Sequence, residues 1–237
     1  MKLKTLKYKI KNIPFIGNTY QLLIGNRKIK REQNLAKQRL QKYGIDLLTQ
    51  IESTLDSFTG DFLYFADYGT LLGIVRDHNF IGWDMDVDYA VILNEDFDWV
   101  KFENHLRNNS FKKVREYQYK SKIKEQTYEY KGLTIDIFFK TDDGENSIAY
   151  GFYKKEDYRY DTPYERHVNE TKYIRILKTR KEAFKGIHVT VPENAEAYLE
   201  NIYSKSWHVP NPEWSGDDQA SKITRPLDTL GIGYFDE

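Results

Sequence analysis

The chain lacks cysteine, and its 237 residues include only two methionines and six prolines. Without cysteine there is no disulfide, no thiol nucleophile and no cysteine-ligated zinc site. The five histidines are scattered and form no His-Glu-x-x-His pair, which argues against a zinc hydrolase. No uninterrupted run reaches the roughly 18 apolar residues of a transmembrane helix, and no signal peptide is evident. Gly-x-Gly-x-x-Gly and Gly-Lys-Ser/Thr loops are also missing, so any nucleotide must be held in another way.

Acidic residues are missing from the first 31 positions, although the whole chain has 36 basic and 36 acidic residues. Nine lysines and arginines precede Glu32, which leaves 27 basic against 36 acidic residues, a net charge of −9, for the remainder. Residues 1–28 are therefore predicted to be a basic amphipathic segment. The stretch 1–26 either lies on an anionic membrane surface or packs on the domain as a solvated helix or tail. Nucleic acid is not an expected partner, because the domain itself is not basic. We expect a cytoplasmic protein, with this segment at the inner face of the cell membrane.

Residues 29–237 are predicted to form a single domain. Hydrophobic periodicity predicts a long helix over 29–58. Further predicted elements are strands at 62–66, 87–93, 111–115, 149–153 and 187–191, a hairpin turning at Lys131-Gly132, and helices at 96–108 and 193–203. The Pro-, Gly- and Asp-rich stretch 210–237 is predicted to be a loop and tail. Because strands and helices do not alternate strictly, the pattern favours an α+β fold with a small mixed sheet flanked by helices.

Three aspartates occupy alternate positions, Asp84, Asp86 and Asp88, and the last two open the apolar run 87–93. Alternate side chains of a strand share a face, so Asp86 and Asp88 should lie side by side. At about 4 Å and an effective dielectric near 20, their charges repel by about 4 kcal/mol. A hard divalent cation removes this repulsion and normally brings substrate phosphates with it. Asp84 precedes the strand and is either a further metal ligand or a turn residue.

Two further features complete the predicted site. Gly69 and Thr70 form a small-residue turn before the aspartates, and a turn followed by an Asp-x-Asp strand is typical of the nucleotidyltransferase fold. Glycine there lets the backbone approach a phosphate closely. Asp136 lies within the apolar segment 133–139, and a buried carboxylate needs a partner. It either joins Asp86 and Asp88 at the same ion, as a ligand or a general base, or lies on the wet face of a half-exposed strand.

The stretch from Gly69 to Arg76, followed by that from Phe80 to Asp88, resembles the motif of the LicD family. That family includes bacterial phosphocholine transferases and resembles fukutin and fukutin-related protein. Looser matches are Asp136 in its strand and the segment 203–210, which contains Trp207. Family members commonly have other residues at four positions of this chain, namely Asn79, Gly82, Met85 and Ser204. None of these departures removes a presumed metal ligand, but they leave the donor open.

The resemblance implies a nucleotidyltransferase-type fold and a transferase dependent on Mg²⁺ or Mn²⁺. Such an enzyme moves a phosphorylated alcohol, for example phosphocholine or ribitol phosphate, from a CDP-linked donor to a glycan of the cell envelope, such as lipopolysaccharide or teichoic acid. The expected metal ligands are Asp84, Asp86, Asp88 and Asp136. Arg76 either clamps a phosphate oxygen as part of the catalytic set or forms a plain salt bridge with Asp84 or Asp77. The expected substrate-binding residues are Gly69, Thr70, Trp83 and Trp207.

Two other functions remain open at this point. A nucleotidyltransferase that attaches a nucleoside monophosphate to a small molecule or sugar would use the same aspartates, but it would release pyrophosphate instead of CMP. A sugar-binding module without catalysis is disfavoured, because Asp86, Asp88 and Asp136 are all present.

Overall fold

The computed structural model describes residues 14–94, 96–214 and 221–235. Within these ranges the chain has the predicted α+β fold, with an eight-stranded mixed sheet that is larger than the small one expected. The helices are α1 (Pro14–Ser57), α2 (Tyr68–Leu72), α3 (Trp99–Asn108) and α4 (Ala195–Tyr203), and a π-helical turn (Gly73–Asp77) continues α2. The strands are β1 (Leu63–Ala66), β2 (Val87–Leu93), β3 (Lys112–Tyr119), β4 (Lys122–Tyr130), β5 (Leu133–Asp142), β6 (Asn146–Tyr153), β7 (Glu165–Ile174), β8 (Thr179–Phe184), β9 (Ile187–Pro192) and β10 (Ile223–Phe235).

Helix α1 carries one buried stripe that packs against β5 and β9. Its buried residues recur at helical spacing and include Leu40, Leu47, Leu48, Ile51 and Leu55. The helix begins at Pro14 and not near residue 29, so its predicted start is wrong. Proline is accommodated there because the first helical turn needs no N–H from it. The predicted boundary at residue 28 falls inside this helix, and the division of the chain at that point stays a prediction.

The large sheet has the order β1-β2-β5-β4-β3-β10-β7-β6. Strands β2 and β5 run parallel, and the other neighbours are antiparallel. The start of β6 also pairs with the end of β5, so the six strands β5, β4, β3, β10, β7 and β6 close into a ring. The predicted hairpin is confirmed: β4 and β5 join at Lys131-Gly132, where φ is 51° and 77°, the left-handed conformation of a tight hairpin turn.

The prediction that residues 210–237 form only a loop and tail is wrong. Strand β10 lies between β3 and β7 and pairs with both of them. The sequence did not predict this strand because it contains turn-forming residues. Two of them, Pro226 and Gly231, flank an irregularity in the pairing with β7. Glycine is required at 231, where a Cβ atom would lie 2.6 Å from the Phe152 ring and 2.8 Å from the Gln118 carbonyl oxygen.

Within the part of the chain that the structure describes, none of the helices combines the length and the apolar character needed to cross a bilayer.

Candidate active site

The aspartates predicted to bind metal lie on and beside two neighbouring parallel strands. Asp88 is the second residue of β2, and the register pairs it with Asp136 of β5. Asp86 lies just before β2. Burial raises the pKa of both Asp86 and Asp88, and the charge of Asp136 adds to this effect. The structure thus brings these three residues together, while their roles at an ion stay predictions.

The backbone of Asp88 is held from both sides by the turn that leads into α2. The Asp88 N–H donates to the Thr70 hydroxyl at 2.9 Å, and the Asp67 N–H donates to the Asp88 carbonyl oxygen at 2.9 Å. Thr70 is buried. The contact seen for its hydroxyl therefore positions Asp88, and the expected contact with a phosphate stays a prediction.

A buried ion pair supports this turn from below. The Asp67 carboxylate accepts the Tyr68 N–H at 2.9 Å, which caps α2, and accepts the Tyr198 hydroxyl at 2.9 Å. Lys140 of β5 donates to the same carboxylate and to the Tyr198 oxygen. Both charged side chains are 0% exposed. The position of Asp88 therefore depends on a charge pair that is fully removed from water.

Asp84 packs directly on the backbone at Gly69. A Cβ atom at Gly69 would lie 2.6 Å from Asp84 Oδ2 and 3.2 Å from its Cγ atom. Both residues line the same cavity. The glycine of the predicted turn is therefore needed for a close approach, and the group that approaches it in this structure is a carboxylate of the site.

Replacing Gly69 by alanine is expected to displace the Asp84 carboxylate and to weaken divalent-ion binding. Overpacking of this kind typically costs about 1–3 kcal/mol of stability. The matched control is Gly82→Ala, because a Cβ atom there would meet nothing within 4 Å. Urea unfolding and calorimetric titration with Mn²⁺ measure both effects. Equal results for the two variants would mean that Asp84 does not press on Gly69 in solution.

The carboxylates of the site are costly to ionise. Burial, followed by the charge of Asp86, raises the pKa of Asp84 to about 6. Burial and then Asp136 raise the pKa of Asp86, although Arg115 opposes this. Burial raises the pKa of Asp88 well above its usual value, and the charges of Asp86, Asp136, Asp67 and Asp84 add to this effect. The cluster therefore holds more negative charge than its surroundings neutralise.

In the metal-free protein, stability is expected to fall as the pH rises from about 4 to 7. The folded state retains protons on Asp84, Asp86 and Asp88 that the unfolded chain has already released, so raising the pH through this range favours unfolding. For Asp84 alone the rise to about 6 corresponds to about 3 kcal/mol at most. Thermal unfolding in chelator between pH 4 and 7 measures the slope.

Asp84→Asn should flatten that slope, and so should added Mg²⁺. The control Asp157→Asn removes an exposed carboxylate between β6 and β7 and should leave the slope unchanged. A melting temperature that rises steadily over the same range would contradict the expected charge repulsion.

Asp136 has partners that the sequence did not suggest. Arg115 of β3 donates through Nη2 to both Asp136 oxygens, at 3.1 and 3.2 Å, and to Glu125 Oε1 at 3.1 Å. The Thr127 hydroxyl of β4 donates to Asp136 Oδ1. Burial, with the charge of Asp136, raises the pKa of Glu125 to about 7. Nothing in the local sequence indicates Arg115, since only the strand register brings it to this carboxylate.

The donor set agrees in kind with Mg²⁺ or Mn²⁺, which prefer carboxylate oxygens. Among the described residues, however, no three or more His, Asp or Glu side chains are arranged to hold an ion as they stand. Both oxygens of Asp136 accept from Arg115 in this structure. Asp84, Asp86 and Asp88 have no ion pair with another described residue. Asp136 would complete a ligand set with them by exchanging Arg115 for the ion.

A cavity of about 310 Å³ opens beside these carboxylates. Six of the predicted site residues line it, namely Gly69, Arg76, Trp83, Asp84, Asp88 and Trp207. Thr70, Asp86 and Asp136 are not among its lining residues. Trp214, which sequence reasoning missed, lines it as well, so three of the four tryptophans of the chain meet here. The cavity lining therefore combines carboxylates with flat aromatic surfaces.

Arg76 forms the salt bridge that was the competing interpretation. Its guanidinium contacts the Asp77 carboxylate at 2.7 and 2.8 Å, and its Nη1 donates to the Trp207 carbonyl oxygen at 3.3 Å. The side chain is only 7% exposed, yet it lines the cavity. These contacts hold the segment around Trp207 against the π-helical turn. A phosphate contact by Arg76 stays a prediction.

Three of the aromatic residues that line the cavity come from the end of α4 and the segment after it. The Tyr203 and Trp214 rings pack edge to face, with centroids 4.6 Å apart. The indole nitrogen of Trp214 is buried, and among the described residues it has no hydrogen-bond partner. Trp207 is partly buried and also packs against the core, so it contributes both to the fold and to the cavity.

A family model described as "LicD/FKTN/FKRP, nucleotidyltransferase domain" matches residues 62–194, which is more than half of the 237 residues. No curated protein matches the chain. The matched range begins just before β1 and ends just before α4, so it contains all the aspartates described above, while Trp207 and Trp214 lie beyond it.

Proposed function

Because the chain belongs to the LicD/FKTN/FKRP family, whose members are transferases, we propose that it moves a phosphorylated alcohol from a CDP-linked donor to a hydroxyl of a cell-envelope glycan. The observation that carries the proposal is the cavity that Asp84 and Asp88 line together with Trp83, Trp207 and Trp214. Carboxylates suit a metal-bound pyrophosphate, and aromatic surfaces suit a base or an organic cation. The alcohol itself, phosphocholine or ribitol phosphate among others, is left open.

Asp86, Asp88, Asp84 and Asp136 would hold Mg²⁺ or Mn²⁺. When bound, the ion would neutralise the pyrophosphate and the leaving CMP. The backbone at Gly69 and the guanidinium of Arg76 would position the donor phosphates. This reaction type needs mainly positioning and neutralisation of charge, so a few such groups suffice.

The proposed reaction exchanges one phosphorus–oxygen bond for another. The acceptor hydroxyl oxygen attacks the phosphorus that carries the alcohol, the bond from that phosphorus to CMP breaks, and the hydroxyl proton passes to a carboxylate. Asp136 is the proposed proton acceptor where it does not serve as a ligand. General-base help of this kind is typically worth 10²–10⁴-fold.

The test is incubation of the protein with CDP-choline, CDP-ribitol or CDP-glycerol, Mg²⁺ or Mn²⁺, and a glycan extract. We expect a new phosphodiester signal in ³¹P NMR together with released CMP, and neither product in chelator. The same incubation with Asp88→Asn is the control for a contaminating transferase. A phosphodiester that forms equally in chelator would contradict the proposal.

The description of the matched family as a nucleotidyltransferase domain supports a second candidate. In that reaction a nucleoside monophosphate is attached to a small molecule or sugar, and pyrophosphate is released. Incubation with CTP or ATP separates the two functions, because nucleotide on the acceptor and free pyrophosphate belong only to the second.

We further propose that the basic segment 1–26 brings the enzyme to an anionic membrane at its cytoplasmic face. Residues 1–13 lie outside the described residues, and residues 14–26 form the beginning of α1. Removal of 1–26 spares the buried stripe of α1, whose first member among the side chains with described burial is Leu40. Each lysine or arginine near such a surface contributes about 1 kcal/mol at low salt.

A chain without residues 1–26 is expected to remain folded and to lose binding to phosphatidylglycerol vesicles in a sedimentation assay. The matched variant keeps the full length but replaces Lys2, Lys4, Lys7, Lys9 and Lys11 by glutamine, and it should bind less and show a weaker dependence on salt. Binding by the shortened chain that equals that of the full chain would reject the membrane proposal.

A further inference from the structure

One row of polar side chains crosses four neighbouring strands at the same level of the sheet. The register pairs Arg115 of β3 with Thr127 of β4, Thr127 with Asp136 of β5, and Asp136 with Asp88 of β2. Neighbouring strands lie about 4.8 Å apart, so the long side chain of Arg115 reaches Asp136 across β4. The row therefore connects the carboxylate that lines the cavity to a cation that does not line it.

The guanidinium of Arg115 has hydrogen-bond partners at Nη2 but lacks one at Nε among the described residues. Its Nη2 atom makes the contacts with Asp136 and Glu125. The guanidinium carbon Cζ lies 5.1 Å from the centroid of the Tyr117 ring. Its Nε atom is buried and has no hydrogen-bond partner among the described residues. An unpaired buried N–H is unfavourable, so a shift of this side chain toward an acceptor would gain a hydrogen bond.

Arg115 and a divalent ion need the same carboxylate. Asp136 is the neighbour of Asp88 in the proposed ligand set, and both of its oxygens are occupied by Arg115. An ion that takes Asp136 replaces the positive charge there and releases the guanidinium. A planar guanidinium then matches the oxygens of a phosphoryl group with two parallel hydrogen bonds.

We propose that Arg115 binds the phosphoryl group of the donor, moving from Asp136 when a divalent ion takes that carboxylate. This inference rests on the proposed function, because it assigns a further residue to the same site. It predicts that Arg115 opposes binding of the metal alone and promotes binding of the phosphate that follows the metal. A residue that only positioned Asp136 would support metal binding and leave phosphate affinity unchanged.

The test is calorimetric titration of wild type, Arg115→Gln and Arg115→Lys, first with Mn²⁺ and then with inorganic pyrophosphate at saturating Mn²⁺. For Arg115→Gln we expect Mn²⁺ affinity that is equal to or higher than that of wild type, and pyrophosphate affinity lower by about 10- to 100-fold, the range for hydrogen bonds to a charged group. Arg115→Lys keeps the charge but lacks the planar guanidinium, so its pyrophosphate affinity should lie between those of wild type and Arg115→Gln. Lys113→Gln is the control, because Lys113 of the same strand pairs with Glu103 and Glu116 instead.

Unchanged pyrophosphate affinity in folded Arg115→Gln would overturn the inference, as would a loss of Mn²⁺ affinity alone. If Arg115→Gln does not fold, the same two titrations on Arg115→Lys test the inference. A pyrophosphate affinity of Arg115→Lys equal to that of wild type would then count against it. The proposed function fails separately. A wild type that binds pyrophosphate through Arg115 but transfers no phosphoalcohol rejects only the function, and a wild type that binds no pyrophosphate with Mn²⁺ rejects both.

Discussion

Asp88→Asn is expected to reduce phosphoalcohol transfer by about 10³-fold or more, with little loss of folding. Asp88 is the residue that both lines the cavity and neighbours Asp136, so its oxygen is central to any ion held there. Loss of a metal that contributes several kcal/mol to the transition state gives a decrease of this size. Asp86→Asn should be similarly severe. Transfer rates at saturating Mg²⁺ or Mn²⁺ measure the effect.

The same substitution should stabilise the metal-free protein. Burial and four neighbouring carboxylates raise the pKa of Asp88, so ionisation of this group lowers the stability of the folded state, and the neutral amide removes that cost. Urea unfolding in chelator at pH 7.5 should therefore give a midpoint at or above that of wild type. The exposed control Asp157→Asn should change neither transfer nor unfolding. Full turnover by Asp88→Asn or Asp86→Asn would show that the ion, and with it the active site, lies elsewhere.

Lys140→Met is expected to destabilise the protein strongly, and by more than Gly69→Ala. It leaves the Asp67 carboxylate, which is 0% exposed, without its cation. Removal of one partner of a buried pair typically costs about 3–5 kcal/mol. Because Asp67 also caps α2 and binds the backbone of Asp88, the variant should lose metal affinity as well. Equilibrium urea unfolding and Mn²⁺ titration measure the two losses.

The double variant Asp67→Asn with Lys140→Met separates charge from packing. With both charges removed, its loss of stability should be smaller than the sum of the single losses, and the difference gives the coupling energy. Lys172→Met is the matched control, since Lys172 pairs with Asp143 while its side chain is 35% exposed. Additive losses in the double variant would mean that the pair does not act as a unit.

Local patterns in the sequence were sufficient for the elements that carry the aspartates. The apolar run after Asp86 predicts β2 with the bounds observed, Val87–Leu93, because a buried strand has a continuous apolar sequence. The sequence also placed Asp136 in a strand but left open whether it joins Asp86 and Asp88 or lies on a wet face, and the register sets it beside Asp88. The resemblance between residues 69–88 and the LicD family is confirmed by the family match.

The features that the sequence could not predict depend on contacts between residues far apart in the chain. Arg115 belongs to the site because β3 and β4 place it across from Asp136, and a residue 21 positions away gives no local signal of that contact. Trp214 joins Trp83 in one cavity only after the chain has folded back past α4. Strand β10 was missed because Pro226 and two glycines make an edge-like sequence, although the strand lies between two others.

The closed ring of six strands has a consequence for the order in which the protein can fold during synthesis. Strands β3 and β7 each need β10 as a neighbour, and β10 leaves the ribosome long after β3 and well after β7 and α4. Until then both strands present unpaired backbone edges, which are sites of aggregation in nascent chains. The aspartates on β2 and β5 are made early, but the ring to which β5 belongs closes late. Completion of the active site therefore waits for a strand that contributes no aspartate to it, and folding dominated by such distant pairing is expected to be slow.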